Sequence, residues 1–209
     1  MSDRLGEIKI IDNYKQLDPE WFEAHVGRIG GSTVQMACAK GEGKTRTNLL
    51  YRKAGETLSG EPYIGYFNEN MQRGIDLEPE ARLLYELSMG VSVRQVAIVL
   101  SKNEHKICSP DGLVGGDGMV EIKCVIPSVH IETIDKDKIP SSYRRQIQWG
   151  LSICQREWCD FVSYCPGIVS NPIFIKRTWR DEKLIKELHD GVDAFIVELT
   201  ELVTKIRGQ

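Results

Sequence analysis

The segment from 109 to 124 constrains the fold of this 209-residue chain more than any other. It contains two short apolar stretches joined by a Gly-Gly-Asp-Gly sequence at 115–118, a composition typical of a β-hairpin turn. In the second stretch, the apolar residues of 120–124 alternate with Glu121 and Lys123. Because strand side chains alternate between the faces of a sheet, we expect one face to be core and the other to carry the charged groups.

The position of the preceding Asp111 depends on the length of the hairpin loop. A loop of three or five residues puts Asp111 on the same face as Glu121 and Lys123. Two carboxylates and a lysine would then share a small volume, which suits a hard divalent cation such as magnesium beside a bound phosphate. The alternative is that Asp111 is a turn residue after Pro110 and that the charged strand residues face solvent.

The composition is compatible with one α/β or α+β domain and limits its partners. The formal charge is −3, from 27 basic and 30 acidic residues, so any contact with DNA must come from local basic patches. The six cysteines include no Cys-x-x-Cys pair, which favours free thiols in a reducing cytoplasm. No apolar run approaches the length of a membrane span, so we expect a cytoplasmic protein without a membrane partner.

The remaining sequence predicts a central mixed β-sheet flanked by helices. Helical spacing and capping residues predict helices that start near Pro19 and cover 33–39 with Ser32 as cap, 68–87, 141–155 and 181–206. Apolar and β-branched runs predict strands over 91–100, 160–164 and 173–179. The segment 125–140 is expected to be a loop that contains His130.

Two further segments are candidates for binding DNA phosphates. The turn at 28–32 combines Arg28 with two glycines and Ser32, so it offers a guanidinium and backbone amides to an anion. The segment 40–53 is the most basic part of the chain and is equally compatible with a solvated face. Its candidate DNA contacts are Lys40, Lys44, Arg46 and Arg52.

The order of these motifs resembles the phage exonucleases typified by phage lambda exonuclease. These are YqaJ-type viral recombinases within the PD-(D/E)xK, or restriction-endonuclease-like, nuclease superfamily. The residues that carry the resemblance are Ser109-Pro110-Asp111-Gly112, Glu121-Ile122-Lys123-Cys124, Tyr143 with Gln146, and Gly74-x-x-x-Glu78-x-x-Ala81-Arg82. The resemblance covers roughly 21–179 and implies one nuclease domain over 1–209 with a restriction-endonuclease-like core.

The resemblance also implies a metal centre. Asp111 and Glu121 would bind Mg²⁺, or Mn²⁺ as a substitute, and Glu78 and the carbonyl of Ile122 would complete the site. Lys123 would position the attacking water, which Gln146 would help to orient.

By the same resemblance, Arg28, Ser32 and Ser109 fall where the family binds the 5′-terminal phosphate. This chain departs from the family in two places. The turn between Arg28 and Ser32 is shorter than in phage lambda exonuclease, and 125–129 lacks the arginine that lambda exonuclease has shortly after this motif.

The implied activity is that of a 5′-to-3′ exonuclease that digests one strand of linear double-stranded DNA. The 3′ single-stranded tails would serve phage recombination with a single-strand annealing protein, and the enzyme would be a homotrimeric ring in the cytoplasm of a bacterial host, encoded by a phage or prophage. Two alternatives remain open: a structure-specific or restriction-like endonuclease of the same superfamily, and a catalytically silent DNA-end-binding subunit. The complete set of Asp111, Glu121 and Lys123 argues against the silent subunit.

Overall fold

The predicted hairpin lies at the centre of the fold in the computed structural model, which describes residues 8–39, 43–65 and 68–209. The strands of these residues are β1 (Lys9–Ile11), β2 (Val93–Arg94), β3 (Ile98–Leu100), β4 (Ile107–Cys108), β5 (Gly112–Val114), β6 (Gly118–Cys124), β7 (Trp158–Tyr164) and β8 (Ile173–Trp179). The helices are α1 (Pro19–Glu23), α2 (Gly31–Ala37), α3 (Lys44–Ser59), α4 (Glu69–Met89), α5 (Pro127–Asp135), α6 (Ser141–Ile153) and α7 (Glu182–Arg207).

The main sheet has the strand order β2-β5-β6-β7-β8. Strands β6 and β7 are parallel, and the other neighbours are antiparallel. Parallel neighbours need a long crossover, and helices α5 and α6 lie in the connection from β6 to β7. The predicted mixed sheet flanked by helices is therefore confirmed.

Helices cover both faces of the main sheet. On one face, Met119 and Phe161 join a core cluster with residues of α2, α6 and α7. On the other face, Val120 and Val162 pack with Tyr85 of α4. Residues 118–122 of β6 are thus buried on both faces, whereas Lys123 and Cys124 at its end are partly exposed. The charged face expected from the sequence therefore lies mostly inside the protein.

The single strand predicted over 91–100 is wrong, because this segment forms two strands in two sheets. Strand β2 pairs with β5, whereas β3 lies between β1 and β4 in a separate three-stranded sheet. Between them, the Ala97 amide donates to the Ile11 carbonyl at 2.9 Å. A β-branched run indicates extended backbone, but it does not say which strands will pair with it.

The loop predicted over 125–140 is also wrong, because most of it is helix α5. Pro127 is the first helical residue, where its fixed φ favours the helix and its missing amide hydrogen costs nothing. His130 lies in this helix and is buried; its ring nitrogens contact Ser163 Oγ at 2.8 Å and the Asn171 carbonyl at 2.9 Å. These contacts attach α5 to the sheet, and they explain why a polar residue in this segment is not exposed.

Two features near the amino terminus differ from expectation. Helix α2 begins at Gly31 with Gly30 as its cap, and the hydroxyl of Thr33, not Ser32, accepts the Gly30 amide at 3.0 Å. The basic segment continues as the 16-residue helix α3, which the sequence analysis did not predict. The segment combines its charges with a helical spacing that buries Leu49 and Ala54.

Candidate active site

The hairpin has the register that brings Asp111 to the charged face of β6. Its loop holds three residues, because Val114 pairs with Gly118 and Gly112 pairs with Val120. Continuing this register places Asp111 opposite Glu121. Asp111 Oδ2 accepts the backbone amide of Ile122 at 2.6 Å, and this contact fixes the aspartate against β6.

Glu121 is held by two donors in the interior. Its side chain is nearly buried, with 3% of the residue surface exposed. Both Lys123 Nζ and Gln146 Nε2 lie 2.5 Å from its Oε1 atom. Gln146 comes from α6 and packs against α2, where a Cβ added at Gly31 would lie 3.1 Å from Gln146 Cγ. Glycine at 31 therefore leaves room for the glutamine that holds Glu121.

Glu78 reaches the same region from α4, on the other wall of the cleft. Its Oε1 atom accepts a hydrogen bond from Arg82 Nη2, one helical turn further on. Arg82 is only 12% exposed, and Gln95 contacts it from the side. With its amide oxygen turned toward Arg82, Gln95 accepts from Nη1 at 2.9 Å and from Nη2 at 3.1 Å. Glu78 is thus positioned by a guanidinium that is itself held in place.

The three carboxylates influence each other electrostatically. Burial raises the pKa of Glu78 to about 7, and the charge of Asp111 adds to the shift. Burial also raises the pKa of Glu121 to about 7, with Lys123 opposing the shift and Asp111 adding to it. Burial alone would lower the pKa of Lys123, but Glu121 and Asp111 raise it above its ordinary value. The site therefore concentrates more negative charge than its lysine offsets, which is the condition that favours a bound cation.

The donor chemistry of this cluster fits a hard divalent cation. Within 8–39, 43–65 and 68–209, no three Asp, Glu, His or Cys side chains are close enough to enclose a metal ion. However, the hydrogen bonds above use one oxygen of each carboxylate, namely Glu78 Oε1, Asp111 Oδ2 and Glu121 Oε1. The other oxygens and the carbonyl of Ile122 are the ligand type that Mg²⁺ prefers.

These residues line one cleft of about 780 Å³ between α4 and the carboxyl end of β6. Its wall includes Glu78, Asp111, Lys123 and the aromatic residues Trp21 and Tyr143. The structure therefore brings four of the predicted site residues together: Glu78, Asp111, Ile122 and Lys123 line the cleft itself. Glu121 and Gln146 join them through the hydrogen bonds of Glu121.

Two of the three residues predicted to bind the 5′-phosphate, Arg28 and Ser109, form hydrogen bonds within the protein. Ser109 Oγ accepts from Trp21 Nε1 at 2.9 Å and donates to the Ala97 carbonyl at 2.7 Å, so its hydroxyl is engaged within the protein. Arg28 donates to the carbonyls of Glu104 and Ala24. Ser32 is exposed in the first turn of α2. Binding of a terminal phosphate by these three residues stays a prediction.

The basic segment is partly engaged in ion pairs. Arg46 makes a bidentate pair with Glu198 of α7, at 2.6 and 2.7 Å, and would have to leave it to reach DNA. Arg52 lies 4.0 Å from Glu56, and its guanidinium is 5.1 Å from the centre of the Tyr63 ring. Lys44 is exposed at the start of α3, and Lys40 lies outside the described residues. DNA contact by this segment also stays a prediction.

Several residues that position the site residues could not be identified from the sequence. Gln16 Nε2 donates to the Pro110 carbonyl at 3.0 Å, and Trp21 donates to Ser109, so the amino-terminal segment holds the two residues before Asp111. These partners are 94 and 88 positions apart, and no local spacing could reveal them. Tyr143 is stacked on Phe161 at 5.5 Å and lies below Lys123 Nζ at 5.6 Å. Tyr143 and Arg82 belong to the motifs already noted, but their roles became visible only from the contacts.

The chain is similar to a known protein family and to solved exonuclease structures. The family model of the YqaJ-like viral recombinase domain matches residues 20–157. An alkaline exonuclease (LHK-Exo) from Laribacter hongkongensis is 35% identical, with a TM-score of 0.84 over 91% of this chain and 96% of that one. LHK-Exo in complex with dAMP gives a TM-score of 0.85 at the same identity and coverage.

A phage-related exonuclease from Haemophilus somnus 129PT shares the fold at 16% identity, with a TM-score of 0.67 over 86% of this chain and 96% of that one. A search of the curated proteins finds no match. The region matched by the family model covers more than half of the chain and contains Glu78, Asp111, Glu121, Lys123 and Gln146. The resemblance seen in the sequence is thereby confirmed, and the chain belongs to the YqaJ-like viral recombinase family.

Proposed function

We propose that this protein is a metal-dependent 5′-to-3′ exonuclease that digests one strand of linear double-stranded DNA. The observation that carries the proposal is the cleft that combines Asp111 and Lys123 of the hairpin with Glu78 of α4. The similarity to an alkaline exonuclease at 35% identity supports the exonuclease class. The products would be 3′ single-stranded tails for phage recombination by strand annealing.

The proposed cofactor is Mg²⁺, with Mn²⁺ as a substitute. Glu78, Asp111, Glu121 and the carbonyl of Ile122 would hold the ion. When bound, it supplies Lewis acidity to the phosphodiester. The charge excess of the three carboxylates supports this assignment, because a cation would offset both the burial and the neighbouring charges that raise the pKa of Glu78 and Glu121.

The chain's own groups orient the reaction. Lys123 remains cationic beside Glu121, so its ammonium can hold the attacking water against the phosphate. The resemblance implies that Gln146 helps to orient that water. Its Nε2 donates to Glu121 instead, so we propose that it acts by fixing the Glu121 carboxylate.

The wider assignments also belong to this proposal. Double-stranded DNA ends would be the substrate, with Arg28, Ser32 and Ser109 near the terminal phosphate and the basic segment along the duplex. The protein would act as one nuclease domain in a homotrimeric ring, beside a single-strand annealing protein in the cytoplasm of a bacterial host. None of the helices in the described part of the chain has the length and apolar character needed to cross a bilayer.

Linear and covalently closed circular duplexes of the same sequence separate this proposal from its alternatives. An exonuclease requires an end, so only the linear duplex should release nucleotides. Cleavage of the closed circle would indicate an endonuclease. Binding to linear DNA without cleavage in Mg²⁺ or Mn²⁺ would indicate the silent subunit.

Arg82 provides a separate test of the role given to Glu78. Glu78 lines both the cleft and a neighbouring cavity, and Arg82 and Gln95 approach it from that second cavity. We expect Arg82→Ala to weaken Mn²⁺ binding by about tenfold, since partners that orient a metal ligand typically contribute this much. Isothermal titration calorimetry without DNA measures this effect, and Arg82→Lys should be intermediate.

The matched control is Arg94→Ala, because Arg94 is exposed and pairs with Asp12 on the surface. It should bind Mn²⁺ like the wild type. Unchanged affinity in Arg82→Ala would show that Arg82 does not position a metal ligand.

A further inference from the structure

An open groove runs along α3. Its volume is about 770 Å³. One side is a stripe of α3 residues spaced three or four apart, so they share a helix face: Thr45, Asn48, Arg52, Gly55 and Ser59. The other side is formed by 61–63, with Tyr63 at its rim.

The groove displays flat aromatic and guanidinium surfaces. Tyr63 is 58% exposed, and the guanidinium of Arg52 lies 5.1 Å from the centre of its ring. Tyr51, on the adjoining part of α3, is exposed as well. Nucleic acid bases stack on aromatic rings and on arginine planes when they are not paired, whereas a duplex keeps its base faces inside.

The charges of the groove also favour unpaired bases over a duplex backbone. Its basic lining residue is Arg52, and Glu61 opposes it. Glu56 is already engaged by Lys53 Nζ at 2.7 Å and by the Gly27 amide at 2.9 Å. A nearly neutral surface gains little from phosphates, so stacking and hydrogen bonds from Asn48 and Thr45 must supply the affinity.

The groove adjoins the active-site cleft along the chain. Tyr63 lines the groove, and the next two residues, Ile64 and Gly65, line the cleft. Tyr63 therefore lies directly beside the residues at the edge of the cleft.

We propose that the α3 groove binds the uncut strand as it leaves the cleft, with one of its bases stacked on Tyr63 and Arg52. The proposal rests on the proposed function, since digestion of one strand is what leaves its complement unpaired at this place. It gives Arg52, expected from the sequence to contact the duplex backbone, a different ligand: the face of an unpaired base.

The test compares two duplexes by fluorescence anisotropy in the absence of divalent metal, so that neither is cut. One is blunt, and the other carries a 3′ extension of about ten nucleotides, within the range that one binding fold covers. Wild-type protein should bind the extended duplex more tightly. Tyr63→Ala should lose about fivefold or more of the affinity for the extended duplex, since stacking contributes about 1 kcal/mol or more per base, and should keep its affinity for the blunt one.

Tyr63→Phe should bind like the wild type, because it keeps the ring. The matched control is Trp179→Ala, which removes an aromatic residue of similar exposure, 61%, at the end of β8. Wild-type affinity of Tyr63→Ala for the extended duplex would overturn the proposal. An equal loss on both duplexes would also overturn it, because the groove would then bind duplex or stabilise the fold.

Release of mononucleotides from linear duplex by the wild type, measured in parallel with Mg²⁺, separates this proposal from the proposed function. Cleavage without preference for the extension would refute the groove alone. An extension preference without cleavage would refute the exonuclease assignment and leave the groove a single-strand site.

Discussion

Lys123→Ala is expected to slow metal-dependent DNA cleavage by about 10²- to 10³-fold, the range typical of losing one preorganised donor that stabilises the transition state. The lysine ammonium lies 2.5 Å from Glu121 Oε1 in the cleft that also holds Asp111. Since lysine is not a metal ligand, Mn²⁺ binding should survive the change. Single-turnover cleavage and calorimetric titration measure the two properties separately.

The matched control is Lys136→Ala, which removes an exposed lysine paired with Glu132 on α5. It should cleave at the wild-type rate. Because alanine at 123 leaves buried Glu121 with one donor fewer, Lys123→Gln should be measured as well. If both variants lost Mn²⁺ binding as well as the cleavage rate, Lys123 would have a structural role rather than a role in the reaction.

The carboxylate variants should differ from the lysine variant in losing metal binding as well as cleavage. Asp111→Asn keeps an oxygen to accept the Ile122 amide but removes the charge, so we expect the fold to persist and both Mn²⁺ binding and cleavage to be lost. Glu121→Gln should give the same result. Near-normal turnover in either variant would remove that residue from the metal centre.

Asp160→Ala is expected to cause the largest loss of stability, about 1–3 kcal/mol in the free energy of unfolding, because the buried Tyr85 hydroxyl loses its acceptor. Asp160 lies on β7, is 0% exposed, and accepts hydrogen bonds at 2.8 Å from the Tyr85 hydroxyl and from Nε and Nη2 of Arg177. Removing the carboxylate leaves a buried hydroxyl and a guanidinium without their acceptor. Arg177 also covers the ring of Trp158, whose centre is 3.6 Å away, so its displacement would disturb the packing beside it.

Urea unfolding measures this effect, and Asp160→Asn, which keeps one acceptor oxygen, should lose less stability. Asp190→Ala is the surface control, since Asp190 pairs with Lys186 where both are exposed, and such pairs contribute little. An unfolding midpoint of Asp160→Ala equal to that of the wild type would contradict the account. Because Tyr85 is on the helix that carries Glu78, the interaction also ties that helix to the main sheet.

The central part of the fold was predictable because its signals are local. Alternation along 120–124, a glycine-rich turn and an odd loop length together determine a hairpin register, and the register determines which carboxylates meet. Helix α7 was predictable for the same reason, since Asp181 caps it and accepts the Leu184 amide. Capping and periodicity act within a few residues, so a single sequence displays them.

The errors concern choices that depend on distant parts of the chain. Residues 91–100 were extended as expected, but their division between two sheets depends on β1 and β5. The burial of His130 depends on Ser163 and Asn171, which lie more than thirty positions away. Arg46 looked available to DNA because Glu198, its partner, is 152 positions away. The contacts of Gln16 with Pro110 and of Trp21 with Ser109, which hold the segment before Asp111, also join distant parts of the chain.

If the protein is a metal-dependent exonuclease that starts at 5′ ends, end-labelled blunt duplexes will show its polarity and its metal requirement together. One set carries the label on a 5′-phosphate and the other at the 3′ end, each incubated with Mg²⁺ and with EDTA. We expect early release of the 5′ label as a mononucleotide, retention of the 3′ label on long single strands, and no release in EDTA. Early release of the 3′ label, labelled internal fragments, or release in EDTA would contradict it.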